Sequence, residues 1–225
     1  MLMYWWEILS LIGNVTFTGP IGIAIAVWLL VGKSWRLTLS WCLLFCGGMA
    51  LVVATKVAFY GWGIGVESLD FAGFSGHSMR AAAVFPVAFF LVARAYGQAR
   101  YWALLAGIVL AILVAVSRVE LGAHSVSEAV TGCLLGLMVA GLFVWHVSTE
   151  GHLALSRILV ALCMPVLLML PQHGHGVALQ TESWIAQLAM LLSGHDRPFT
   201  RQQWHLPKPQ GAAQVSLLPE HAFSA

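Results

Sequence analysis

Two short stretches of this chain hold most of its side chains able to move a proton or grip an anion: FSGH at residues 74–77 and SRVELGAHSVSE at 117–128. Ser75 and Gly76 lead into an apolar run beginning near His77, which reads as a helix N-terminus. Free N–H groups and the positive dipole end at such a place suit a phosphate oxygen, and Gly76 lets the backbone approach it closely. His77 would stand beside that anion, able to give or take a proton near neutral pH. In the second stretch Arg118 offers a planar fork of donors, and Gly122 permits a turn before His124. His124 and Glu128 are four residues apart and share a face of the helix expected from about His124 to Val147. A carboxylate below a histidine fixes its tautomer and makes the other ring nitrogen a better nucleophile. With Lys56 as a further cation, these residues describe phosphoryl transfer without metal, a reaction that chiefly needs positioning and charge stabilisation.

The elements that carry these stretches are apolar. Of 225 residues 60% are hydrophobic and 9% charged, and the mean hydropathy is +0.84. In water such a chain would expose large apolar patches, so it reads as an integral membrane protein. The expected fold is all-α: a polytopic transmembrane helical bundle of about six spans, or five plus an interfacial N-terminal helix. Tyr4–Asn14 forms the interfacial piece, with Trp5 and Trp6 at headgroup level. Thr18 is the expected cap and Pro20 the expected start of the first span. Further spans follow at about 37–59, 77–96, 101–116, 124–147 and 153–170. A net charge of +2 leaves no basic field for nucleic acid. Cys42, Cys46, Cys133 and Cys163 all lie in apolar runs with neither disulfide nor zinc spacing.

With both stretches in view, the chain resembles the type 2 phosphatidic acid phosphatase (PAP2) superfamily. Its second and third motifs, PSGH and SRx5Hx3D, are matched by Phe74-Ser75-Gly76-His77 and by Ser117-Arg118-x5-His124-x3-Glu128. Of the first motif, Kx6RP, only Lys56 is present; Gly63 and Ile64 stand where the Arg-Pro pair would be, and Glu128 replaces the usual aspartate. The resemblance implies a PAP2-like bundle and a phosphohistidine mechanism with no cofactor. In it His124 is the nucleophile, Glu128 orients it and His77 is the general acid and base. Lys56, Ser75, Gly76 and Arg118 would hold the phosphate oxygens, and Arg80, one turn beyond His77, would stand in for the absent arginine.

The other ionisable residues carry less. Glu120 also lies four residues from His124, but Gly122 interrupts the helix between them. A solvated or substrate-facing side chain is expected there rather than a second orienter. Glu67 and Asp70 read as rim residues, and His173 with His175 lack a third ligand for a metal.

Domain organisation reads as a catalytic bundle over 1–171 and a polar tail over 172–225. An interfacial amphipathic helix is expected at about 178–193, and mobile polypeptide beyond Gly194. Lys33, Arg36, Arg94, Arg100 and Arg157 fall on one side of this layout and mark it as cytoplasmic. Both reactive stretches then face outward, towards the periplasm of a bacterial inner membrane. The expected partners are the bilayer and a lipid phosphate or diphosphate. Passing phosphate to a lipid or sugar acceptor is the alternative reading; binding or transport without turnover is a third.

Overall fold

The computed structural model describes residues 2–149 and 174–204. Within them the chain forms α1 (Leu2–Ile12), α2 (Val15–Val31), α3 (Trp35–Trp62), α4 (Gly76–Ala93), α5 (Ala99–Glu120), α6 (Val126–Thr149) and α7 (Gly174–Ser193). Short 3-10 turns lie at Glu67–Leu69, Arg94–Tyr96 and Arg201–Trp204. Five stretches among the described residues are long and apolar enough to cross a membrane: Met3–Val31, Trp35–Trp62, Gly76–Ala93, Ala99–Glu120 and Val126–Thr149. The span expected at 153–170 lies outside the described residues.

The bundle is organised around α4. Met79, Ala81, Ala82, Ala83, Val84 and Val87 are all fully buried there, and α4 packs mainly on α5 and α6. The outer helices are different. On α5 Trp102, Leu105, Val109, Ile112 and Val116 are exposed, as are Val130, Leu134, Met138 and Trp145 on α6. Large apolar residues turned outward suit hydrocarbon, where leaving such a side chain on the outer face forfeits little hydrophobic gain. Trp41 anchors the inner end of the α2–α3 pair: its indole N–H donates to the Gly22 carbonyl at 2.9 Å, and its ring stacks on Phe45.

Two glycines set how closely α6 approaches α4. A Cβ on Gly132 would lie 2.6 Å from the Ser75 carbonyl oxygen, and one on Gly136 would lie 2.2 Å from that of Met79. This contact brings the two reactive stretches together, since the Ser75 N–H donates to the Glu128 carbonyl at 3.1 Å. Gly132→Ala is therefore expected to force backbone apart, costing about 1–3 kcal/mol of stability. A lowered midpoint of thermal unfolding in detergent would register it.

The first span departs from the sequence expectation. Asn14, not Thr18, caps α2: its side chain accepts the Thr16 N–H at 3.3 Å. Thr18 instead donates its hydroxyl to the Asn14 carbonyl at 2.9 Å, and Pro20 lies inside the helix. The reason is that α1 and α2 are separated only by the Gly13–Asn14 bend and share one apolar stretch. Rather than standing apart as a surface segment, α1 packs on α5.

Candidate active site

Each reactive side chain is placed by a helix end. Ser75 is fully buried and caps α4, its Oγ accepting the Ser78 N–H at 3.4 Å and the Ser78 hydroxyl at 3.0 Å. His77 follows on the first turn, against the Gly13 bend. At the other stretch α5 runs on through Arg118 and ends at Glu120. Gly122 then takes φ +64°, and the N–H groups of Ala123 and His124 fold back onto the Arg118 carbonyl at 3.0 and 3.2 Å. A left-handed residue is what this reversal requires, and glycine adopts it without strain.

The expected helix from His124 is corrected here: α6 begins at Val126, with His124 just ahead of it. Ser125 is the reason. Its Oγ accepts the Glu128 N–H at 3.3 Å, while Glu128 Oε2 accepts the Ser125 N–H at 3.3 Å. This reciprocal pair is a capping box, with SVSE as its sequence signature. The carboxylate that closes the box also reaches His124, with Nδ1 to Oε2 at 2.8 Å. Its Oε1 accepts the Ala72 N–H at 2.8 Å. A glutamate at this position thus caps the start of α6, orients the histidine and ties down the 63–75 linker with a single side chain.

Lys56, His124 and Glu128 line a cavity of about 260 Å³ together with Tyr60, Gly73, Glu182 and Arg201. His124 Nδ1 is engaged by Glu128, and Nε2 has no hydrogen-bond partner among the described residues. His77, Arg118 and Arg80 do not line this cavity and instead meet the Gly13 bend, α1 and α2 respectively. His77 feels the charges of Arg80, Arg118, His124 and Lys56. Arg118 donates through Nη1 to the Ser10 hydroxyl, and its buried Nε has no partner among the described residues. Arg80 is buried and donates through Nε to Thr18 Oγ1 at 3.2 Å. Its Nη1 would lie 3.0 Å from a Cβ on Gly76, so the glycine makes room for this guanidinium. Glu120 is exposed at the end of α5 and does not line the cavity. The His173 and His175 side chains fall outside the described part.

Sequence reasoning missed two residues, both beyond α6. Glu182 of α7 accepts from Lys56, Nζ to Oε1 at 2.7 Å. Arg201 donates through Nη2 to Glu128 Oε2 at 2.7 Å and through Nε to Asp70 Oδ1 at 3.3 Å. The α7 helix overlaps the interfacial helix expected at 178–193, but it packs on α3 through buried Ala189 and turns Trp184, Leu188 and Leu191 outward. The mobile tail expected from Gly194 is instead held against the site as far as Trp204. No spacing rule links either residue to the two motifs; only the folded return of the chain does.

Partial burial favours the neutral form of Glu182, but the Lys56 ammonium prevails and holds its carboxyl below the usual carboxylate range. A lowered folded-state pKa makes the contribution complete above the ordinary glutamate range and lost as pH falls through the depressed value. Docking of α7 is therefore expected to hold at neutral pH and weaken in acid. Limited proteolysis after α7 across that range checks it, and Glu182→Gln should reduce the pH dependence, leaving the part owed to the Arg201 contacts with Asp70 and Glu128.

The fold and site define a bundle of membrane-span helices that holds a histidine–carboxylate pair in a cation-lined cavity. A PAP2 superfamily model matches residues 62–151. The chain is 35% identical over 207 residues to the "Uncharacterized 22.5 kDa protein in cps region" of Klebsiella pneumoniae, covering 89% of this chain and 97% of that protein. It is also 41% identical over 78 residues to phosphatidylglycerophosphatase B of Bacillus subtilis (strain 168), covering 33% of this chain and 38% of that protein. No solved structure matches significantly. The chain belongs to the PAP2 superfamily.

Proposed function

We propose that this protein is a membrane phosphatase that hydrolyses a lipid phosphate or diphosphate through a phosphohistidine. The observation that carries the reading is the 2.8 Å contact between His124 and Glu128 at a cavity also lined by Lys56. With Nδ1 committed as donor to the carboxylate, Nε2 is the lone-pair nitrogen and the attacking atom. The Nε2–P bond forms as the P–O bond to the lipid breaks, and His77, holding a proton once the phosphate's negative charge offsets the cations around it, gives that proton to the departing oxygen. Neutral His77 then takes a proton from water; the new O–P bond forms, the P–N bond breaks and phosphate leaves. Lys56 and Arg118 would balance the oxygens' charge, with Ser75, Gly76 and the α4 N-terminus as further donors and Arg80 reinforcing them.

The name of the Bacillus relative supports a phospholipid phosphate as the substrate class. Orientation follows from charge. Lys33, Arg36, Arg94 and Arg100 lie by the α2–α3 and α4–α5 turns, at the end of the bundle opposite Lys56, the 63–75 linker and His124. The positive-inside rule puts those turns in the cytoplasm and the cavity at the outer face, the periplasmic side of a bacterial inner membrane. Purified protein in detergent, offered phosphatidic acid, phosphatidylglycerol phosphate and undecaprenyl diphosphate, tests the reading by phosphate release. No release from any of them, or transfer of labelled phosphate solely to an added acceptor, would defeat it.

A further inference from the structure

The segment after α7 is docked by a specific feature of α3. The last carbonyls of a helix lack intrahelical donors, and here two of them are taken by the returning chain. The Phe199 N–H donates to the Tyr60 carbonyl at 2.7 Å, and His195 Nδ1 lies 2.8 Å from that of Gly61. Phe199 and Trp204 then pack edge-on to Phe59, with centroids 5.6 and 5.1 Å away. Gly63 and Gly65 leave the space these two rings occupy: a Cβ on either would come within 2.9 Å of the Phe199 ring or 2.7 Å of the Trp204 ring.

This docking sets Arg201 between two carboxylates of unequal burial. Asp70, on the rim, has a side chain 55% exposed, whereas that of Glu128 is 3% exposed. Glu128 Oε2 thus receives Arg201, His124 and the Ser125 N–H, while Oε1 receives Ala72. A glutamate side chain has one more rotatable bond than an aspartate, and a carboxylate that must aim an imidazole gains from every donor that removes that freedom. A buried carboxylate also needs its charge matched, and Arg201 is the fixed cation closest to it. Burial works against the Arg201 charge, but the Glu128 bond outweighs it and holds the guanidinium above its ordinary range. The planar fork spans both carboxylates, which a lysine ammonium cannot reproduce.

From this we infer that Arg201 is a positioning residue of the active site: anchored on Asp70, it locks Glu128 and, through it, the ring of His124. The inference rests on the reading of His124 as nucleophile. It makes the segment from His195 to Trp204 part of the catalytic unit rather than an appendage.

The experiment uses the full chain in detergent micelles with short-chain phosphatidic acid, measuring kcat and KM for wild type, Arg201→Ala, Arg201→Lys, Asp70→Asn and Arg197→Ala. Arg201→Ala is expected to lose about 10- to 100-fold in kcat with KM changed less than about threefold. Millimolar guanidinium chloride should restore part of that loss. Arg201→Lys should fall between the two, and Asp70→Asn, which removes only the rim anchor, should lose a few-fold in kcat. Arg197→Ala, on an exposed neighbour, should match wild type. Wild-type activity in Arg201→Ala, activity above wild type, or a loss confined to KM would overturn the inference. If Arg201→Ala does not fold, an unchanged kcat in Asp70→Asn overturns it equally. Failure of the functional reading looks different: wild type and His124→Ala would then release no phosphate alike.

Discussion

Replacing His124 with alanine is expected to lower phosphate release by at least 10³-fold, on the order of what loss of a nucleophile costs in other covalent mechanisms. The size of the effect follows from geometry. Lys56, Arg118 and the α4 N-terminus would still bind a phosphate ester, so KM should move little. What disappears is the one lone pair at the cavity whose partner atom is already committed to a buried carboxylate. The discriminating measurement is covalent. Wild type quenched in alkali during turnover of ³²P-labelled lipid should retain acid-labile label on the peptide carrying residue 124, and His124→Ala should retain none. Equal label in both would place the nucleophile elsewhere, with His77 the next residue to examine.

Glu128→Gln should come second, with kcat lowered on the order of 10² to 10⁴. An amide can offer its N–H₂ to Nδ1 and so stabilise the tautomer whose proton sits on Nε2, the nitrogen that must attack. The same amide group would meet Arg201 donor to donor, which the carboxylate does not. Glu128→Asp is the more searching variant, because aspartate is the residue the PAP2 motif leads one to expect here. If glutamate were a tolerated drift, Asp should preserve or raise activity. The capping box argues otherwise. Oε2 and Oε1 reach Ser125, His124, Ala72 and Arg201 only at full side-chain length, so the shorter residue is expected to lose about tenfold in kcat and some stability. Kinetics at saturating substrate, together with the unfolding midpoint of each variant, separate these outcomes.

The two motifs could be recognised from sequence because their chemistry is local. In FSGH and SRVELGAH the cap, the turn glycine and the reacting side chain lie within a few residues of one another, so spacing already constrains geometry. The five spans among the described residues were equally visible, since hydrocarbon selects composition residue by residue. Two features escaped for opposite reasons. The helix start at Val126 was written plainly as Ser125-x-x-Glu128, but the i,i+4 relation of His124 and Glu128 drew attention to a helix that begins too early. Glu182 and Arg201 left no local trace. Each is a lone charge in a segment of ordinary polarity, and its partner, Lys56 or Glu128, lies far away along the chain. Asn14 outranked Thr18 as a cap for a simpler reason: the apolar stretch runs through the bend, so the helix had room to start earlier.

The docking of Arg201 on Glu128 has a consequence for how the protein is made. Synthesis proceeds from the N-terminus, so Lys56, His77, His124 and Glu128 all leave the ribosome well before Arg201 does. A chain stopped after α6 would hold both motifs and their capping box, yet lack the guanidinium that locks the carboxylate. On the inferred role of Arg201, full turnover waits until residue 201 has been made and docked, and a stop codon between α6 and Arg201 would yield a bundle that inserts and binds but works slowly. The segment around Arg201 thus acts as a completion mark for the catalytic centre.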